Sequence, residues 1–407
     1  MLDKFPYFNK TKIIPQPNVC FVYSKEQNVF DVFNHEALAY FQYMNGEQSG
    51  KSILRKIIED FPMTNLETIQ TDYERLLNYL LQRKYISLQD KVCKSDLSFP
   101  FEFVDKANQV KSVHADIELT RNCNLSCFYC YAGSHRNKKY DDLPIDKWID
   151  ILNTLHNQGL RAVKISGGEP FLYSNIKEFC EFCSEKFIVS INTNGYFISE
   201  KEAKWLSQLN IQVIQVSLDS LTGELHDKVR GRGSWEKAFN AINLLHNNNI
   251  PIRLSCTITQ QNKQEIAKLQ ELAASFNAEI NFDVMKPVGR AKKAKDSLFV
   301  ADSCEVIYQK TVPQIYQLLD FLEIKCQAQL GFIGISSKGN AKPCNLTEDF
   351  FEELGIPVVN KINSDFSYPE STTFRLTDSA CKEVIAAVPK EGGKPYDKCI
   401  FYHKKTG

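Results

Sequence analysis

The chain has 407 residues, with 49 Lys and Arg against 49 Asp and Glu and a formal net charge of zero. This length allows about two to three domains, and the ordinary apolar content allows a large core. The charge balance leaves no footprint for nucleic acid, and no apolar run of about eighteen residues or N-terminal signal pattern is present. A cytoplasmic protein with neither a nucleic-acid nor a membrane partner is therefore expected.

Residues 19–23 and 28–34 read as a strand pair turned at Lys25-Glu26-Gln27. Three helical patterns follow. The first, 36–44, closes at Asn45-Gly46, and the second, 52–61, closes at Phe61-Pro62. The third runs from 66 to about 83, with Leu76, Leu77, Tyr79, Leu80 and Leu81 crowding one side. Residues 85–88 make a last strand. This order describes a small winged-helix-like domain over residues 1–90. It lacks the Lys/Arg stripe that would neutralise phosphates. Residues 91–112 carry Lys, Asp, Ser and Pro without periodicity and read as a linker. Cys20 and Cys93 are isolated and read as structural.

Residues 113–300 alternate strand and helix patterns. Strands are expected at 115–120, 162–167, 188–193, 211–219, 250–258 and 278–285, with helices near 145–158, 175–187, 200–209, 234–247 and 263–276. The strands are rich in Val and Ile without clean alternation, which predicts burial on both faces of a parallel sheet. Six such repeats predict a full or partial α/β barrel with its active site at the C-terminal strand ends.

The loop after the first strand holds Cys123, Cys127 and Cys130 in a C-x3-C-x2-C pattern. On a helix they would share one face; on a loop they would surround a common centre. Three thiolates can hold three irons of a four-iron cluster and leave the fourth open, whereas an electron carrier normally uses four Cys. Buried structural cysteines, or a zinc knuckle completed by His135, are the alternatives. Ser166-Gly167-Gly168-Glu169-Pro170 ends the second strand. Its glycines let backbone groups approach a ligand closely, and the Glu169 carboxylate can accept a hydrogen bond from an ammonium group. Cys180 and Cys183 lie at helical spacing and read as core, as does Cys256 within a strand.

Residues 303–322 are helical by periodicity, with Cys304 outside any pattern. Cys326-x12-Gly339-x4-Cys344 follows, and strands at 332–336 and 341–344 would be joined by a turn at Ser337-Lys338-Gly339. Only Cys381 and Cys399 come after. Thirteen cysteines is a high count for a reducing compartment and an odd one, which favours metal or redox chemistry over disulfides.

The C-x3-C-x2-C loop with Tyr129 before its third Cys, followed by Gly167-Gly168-Glu169, resembles the radical S-adenosylmethionine (radical SAM) superfamily. The resemblance implies a partial (β/α)6 barrel, with a [4Fe-4S] cluster on Cys123, Cys127 and Cys130 and SAM on the open iron. Gly167, Gly168 and Glu169 would hold SAM's amino group, Tyr129 would lie beside the adenine, and Ser217, Arg230 and Asn194 would touch its ribose or carboxylate. The turn 286–291 resembles the one that closes the SAM site. Residues 1–90 resemble PqqD-like RiPP recognition elements, implying that this domain binds the leader of a precursor peptide as an added strand.

Residues 301–407 resemble SPASM and twitch extensions. Too few cysteines are present for a full SPASM set, so the resemblance implies one auxiliary iron–sulfur cluster on Cys326, Cys344, Cys381 and Cys399. Cys381 and Cys399 are not closely paired, and the loss of either from the ligand set would leave an open iron for a substrate thiolate. The three parts together resemble radical SAM maturases of ribosomally made peptides, above all the thioether-forming type of the sporulation killing factor. A flavodoxin or ferredoxin would supply the electron that cleaves SAM to a 5′-deoxyadenosyl radical. That radical would take hydrogen from a core residue and lead to a crosslink. A Cys thioether is the first expectation. A carbon–carbon crosslink, epimerisation with Cys256 as hydrogen donor, a sulfatase-type maturase and a non-catalytic iron–sulfur peptide binder are the alternatives.

Overall fold

The computed structural model describes residues 1–15, 19–34, 37–60, 66–92, 113–284, 289–291, 332–342 and 359–362. They divide into two compact units, 1–108 and 109–407.

The first unit begins with β1 (Phe5–Phe8), β2 (Lys12–Pro15), β3 (Val19–Ser24) and β4 (Val29–Asn34). Helices α1 (Ala37–Phe41), α2 (Gly50–Asp60) and α3 (Leu66–Gln82) follow, then β5 (Ile86–Gln89). β2, β3 and β4 form an antiparallel sheet in that order, and β1 pairs with β5. The strand pair, the three helices and the closing strand lie where the sequence patterns put them. β1 and β2 were not anticipated. They are four residues each and carry Pro6 and Pro15, which weaken a strand signal and suit edge positions. The core is aromatic, with Phe41 edge-on to Phe8 at 5.4 Å and to Phe33 at 5.3 Å. Asp31 on β4 accepts from Tyr79 Oη (2.8 Å), Arg83 Nε (2.8 Å) and Tyr85 Oη (2.7 Å), tying the sheet to α3 and the strand after it.

The second unit runs β6 (His114–Thr120), α4 (Ile145–Asn157), β7 (Ala162–Gly167), α5 (Ile176–Lys186), β8 (Ile188–Thr193) and α6 (Glu200–Leu206). It continues with β9 (Ile211–Ser217), α7 (Gly223–Arg230), α8 (Ser234–Asn247), β10 (Ile252–Ile258), α9 (Ile266–Ser275) and β11 (Glu279–Val284). β12 (Phe332–Ile335), β13 (Asn340–Lys342) and β14 (Val359–Lys361) end the described chain. One sheet takes them all in the order β11-β10-β9-β8-β7-β6-β12-β13-β14. The strands from β11 to β12 are parallel, while β13 and β14 run antiparallel. Six chain-ordered parallel strands with intervening helices give the α/β architecture expected of a partial (β/α)6 barrel. The pairing of β12 beside β6 was not foreseen.

One sequence expectation holds for only part of the sheet. β6 is buried on both faces from Ala115 to Thr120, whereas the strands farther from it are not. β10 alternates strictly between buried (Ile252, Leu254, Cys256, Ile258) and half-buried (Arg253, Ser255, Thr257) positions, and β8 and β9 alternate with single irregularities. The buried side packs under the helices around Trp148, Phe179 and Phe187, each large ring contributing about 1.5–3 kcal/mol on burial. Cys180, Cys183 and Cys256 sit in this core. The other face is polar, with Asp116 bound to Lys164 (2.7 Å) and Asn281 to Gln215 (3.1 Å). Lys342 joins it from β13. β12 carries Gly334 opposite both Lys342 and Asp116, and the Lys342 ammonium crosses there to Glu118 at 2.7 Å. Among the described residues no helix is long and apolar enough to cross a membrane.

Candidate functional site

Two strand ends meet through their backbones. Gly168 N–H donates to Thr120 O (2.7 Å) and Glu169 N–H to Asn122 O (2.8 Å). A Cβ on Gly168 would stand 2.2 Å from Asn122 O, so only glycine permits the approach. Asn122 is itself fixed, its side-chain amide donating to Tyr140 O (2.8 Å) and Asp142 Oδ1 (3.0 Å). The Gly-Gly-Glu turn after β7 is thereby locked to the cysteine loop after β6.

Cys123, Cys127 and Cys130 lie on that loop and not on a helix; all three are half-buried and free of disulfides. Burial pushes the Cys123 thiol up to about 12, opposed by the Leu125 N–H and reinforced by Cys127, Glu169 and Cys130. Burial also raises Cys127, to about 11, while the nearby charges of Arg230 and Arg290 pull it down. Such thiols are protonated at neutral pH, and a metal centre would have to displace their protons. Among the described residues no three His, Cys, Asp or Glu side chains converge on a point suited to a single ion. A four-iron cluster asks for something wider, with each thiolate on its own iron. Three disulfide-free thiols on one loop that influence one another's charge, with two guanidinium groups near Cys127, suit an anionic cluster of that kind. His135 accepts from Asn137 N–H through Nδ1 (3.1 Å).

Glu169 is fully buried. Its carboxylate accepts from Thr193 Oγ1 (2.7 Å), Asn194 N (2.8 Å) and Phe171 N (3.3 Å). Burial raises it to about 7 against the pull of these donors. The carboxylate, expected to face an ammonium group, here braces the ends of β7 and β8. Asn194 reaches the cysteine loop through Nδ2 to Asn124 Oδ1 (2.9 Å). The buried Nδ2 of Asn124 has no acceptor among the described residues. Ser217 ends β9, half-buried.

Behind the loop stands a hub that the sequence did not single out. Asp219 accepts from Arg230 Nε (2.6 Å), Arg230 Nη2 (3.0 Å), Thr257 N (2.9 Å) and the hydroxyl of Tyr129. Arg230 also lies over the Tyr129 ring, 5.5 Å from its centroid. Burial alone would raise the Asp219 carboxyl, but the charge and hydrogen bonds of Arg230, with His226 and Tyr129, hold it below the usual carboxylate range. His226, kept neutral by burial and by Arg230 with its pKa near 4, accepts from Asp219 N–H through Nδ1 (3.1 Å). Tyr129 and Arg230, expected beside adenine and SAM carboxylate, are thus both engaged with Asp219. Asn262 and Cys256 donate to the Asp219 carbonyl (2.8 and 3.6 Å). Phe128 N–H donates to Val229 O (2.8 Å), fastening the loop to α7. The hub's signal was a carboxylate two residues past a strand end and eleven before an arginine. Such a separation is visible only once folded. Cys326, Cys344, Cys381, Cys399 and the helix at 303–322 lie outside the described residues.

Residues 117–273 match the sequence profile of the Radical SAM superfamily. The chain is 33% identical over 169 residues to the sporulation killing factor maturation protein SkfB of Bacillus subtilis, covering 41% of this chain and 40% of that one. It is 24% identical over 347 residues to the antilisterial bacteriocin subtilosin biosynthesis protein AlbA of the same organism, covering 78% and 75%. Mycofactocin maturase MftC of Mycolicibacterium smegmatis is 30% identical over 210 residues, covering 51% of each. The chain thus spans about half the length or less of two of these relatives. Among solved structures, Streptococcus suis SuiB bound to precursor peptide SuiA aligns with a TM-score of 0.56 at 14% identity, over 91% of this chain and 90% of that one, a likeness of fold. The chain carries a radical SAM domain whose relatives include proteins named for maturation and biosynthesis.

Proposed function

We propose that this protein is a radical SAM maturase of a ribosomally made precursor peptide, installing an intramolecular crosslink whose first expectation is a Cys thioether. The observation that carries the reading is the backbone lock between the three-cysteine loop and the Gly167-Gly168-Glu169 turn, through Glu169 N and Asn122 O. It joins the two motifs at the C-terminal strand ends of the parallel sheet. When bound, the cluster and SAM supply a 5′-deoxyadenosyl radical able to take hydrogen from an unactivated carbon.

The chain's own work is binding and orientation. Cys123, Cys127 and Cys130 would ligate the cluster. Gly167, Gly168, Glu169, Tyr129, Asn194, Ser217 and Arg230 are the groups assigned to SAM, and Asn124 Nδ2 is a further donor. The bonds of Glu169 to Thr193 and Asn194, and of Asp219 to Arg230 and Tyr129, hold these groups in place, which favours reaction by fixing the distance between partners. Polar residues of the second sheet face, Lys164, Gln215, Arg253 and Asn281, suit a peptide main chain. In the first unit, β4 is an edge of its sheet and can take a leader strand by main-chain pairing. The auxiliary cluster on Cys326, Cys344, Cys381 and Cys399 and a flavodoxin- or ferredoxin-like donor complete the proposal, and SkfB is the relative whose printed name best agrees with it. The test is mass spectrometry of a precursor peptide after anaerobic incubation with the reconstituted protein, SAM and dithionite. A crosslink removes two hydrogens. An unchanged mass with an inverted residue means epimerisation, and an untouched peptide refutes the maturase reading for that peptide.

A further inference from the structure

Arg290 lies outside the cysteine loop in sequence and inside it in space. Its backbone N–H donates to Cys130 O (3.0 Å), its Nε to Cys127 O (2.9 Å) and its Nη1 to Ser134 O. Gly289, at φ +60°, passes so close that a Cβ there would stand 2.3 Å from Tyr131 O and 2.6 Å from Cys130 O. Residues 289 and 290 therefore clasp the loop by main-chain carbonyls at three points. The last guanidinium nitrogen, Nη2, is buried and meets no acceptor among the described residues. Among the described residues no carboxylate is in an ion pair with Arg290. Arg230, the other guanidinium near Cys127, is neutralised by Asp219 at 2.6 Å. Of the two guanidinium groups near Cys127, the one that no carboxylate neutralises among the described residues is thus Arg290.

We infer that Arg290 is a positioning residue for the cysteine loop and that its half-buried charge, met by no carboxylate among the described residues, sets how readily a cluster on Cys123, Cys127 and Cys130 accepts an electron. The inference rests on the radical SAM reading above. Reduction adds one electron from an external donor such as dithionite and makes the anionic cluster more negative, with no bond made or broken at Arg290. A fixed cation beside it, in a medium of low dielectric, stabilises the reduced form and raises the potential. The clasp is separate from the charge, because main-chain carbonyls are held even where no metal is present.

The experiment compares the full-length protein with Arg290→Gln and Arg290→Lys. In the metal-free proteins, hydrogen exchange is followed at the Cys130 and Gly133 amides, which bond within the loop. In the reconstituted proteins, iron is counted and the midpoint is read from the electron paramagnetic resonance signal that SAM perturbs. Arg290→Gln is expected to speed exchange at both amides. At the wild-type midpoint it should lower the ratio of reduced to oxidised cluster roughly tenfold, which is about 59 mV for one electron. Arg290→Lys keeps the charge and loses the fork, so it should exchange as fast as the Gln variant while retaining most of the midpoint. A Gln variant with full iron, wild-type midpoint and wild-type exchange overturns the inference, as does a Lys variant that shifts the midpoint as far as Gln. If Arg290→Gln fails to fold, Arg290→Lys decides: wild-type exchange refutes the clasp, and fast exchange with a retained midpoint supports it. A wild-type protein that binds no iron sinks the radical SAM reading itself, while the metal-free exchange still tests the clasp.

Discussion

Removing the charge of Asp219 with a near-isosteric Asn is expected to loosen the cysteine loop from behind. The Asp219 side chain is 2% exposed and that of Arg230 9%. Its two oxygens take four donors, from Arg230 twice, Thr257 and Tyr129. Asn at this place keeps one acceptor oxygen and turns an NH2 toward a guanidinium, leaving the Arg230 charge buried without a counter-ion. Breaking a buried pair from one side costs about 3–5 kcal/mol. At roughly 2–4 °C per kcal/mol for a large domain, that is a fall in Tm of about 6–20 °C. Circular dichroism melting of the metal-free protein at pH 7 reads it. The double variant Asp219→Leu with Arg230→Met should recover much of the loss, because neither charge is then stranded. The pH dependence follows from the depressed carboxyl. The pair's contribution is complete above the unfolded Asp value of about 3.9, and it is lost as pH falls through the lower folded value. An Asp219→Asn protein melting within about 2 °C of wild type would refute the hub.

Two further substitutions probe the joints around the site. Gly168→Ala forces a Cβ to 2.2 Å from Asn122 O, against backbone that cannot swing away. It should open the lock between the two motifs, seen as loss of hydrogen-exchange protection at the Gly168 and Glu169 amides; unchanged protection would show that the contact relaxes freely. Lys342→Met strands Glu118, which among the described residues keeps Arg121 alone as an ion-pair partner, at 3.7 Å. Urea unfolding should register about 3 kcal/mol, and a loss below about 1 kcal/mol would mean the pair is screened.

The sequence carried the strand–helix alternation well because each repeat is local: an apolar run of β length, then a helical stripe. It carried the cysteine loop and Gly-Gly-Glu turn because both depend on spacing within a few residues. Two-sidedness was legible only in part. β6 is buried on both faces as its composition predicts, but Ser255 and Thr257 between Leu254, Cys256 and Ile258 give β10 a half-buried polar face that its Ile and Leu content does not reveal. Long-range partners were out of reach. Asp219 with Arg230 and Tyr129, Lys342 with Glu118 across Gly334, and Arg290 against Cys127 O join segments that only the fold brings together. The same holds for Glu169, whose motif was visible but whose buried carboxylate faces Thr193 and Asn194.

The central claim is that Cys123, Cys127 and Cys130 hold a cluster that cleaves SAM. The direct measurement is chromatography of 5′-deoxyadenosine formed by the anaerobically reconstituted full-length protein with SAM and dithionite. The wild type should form it, and the variant with all three cysteines changed to Ala should form none. An iron-loaded wild type that leaves SAM intact, or a triple variant that cleaves it equally well, would contradict the account.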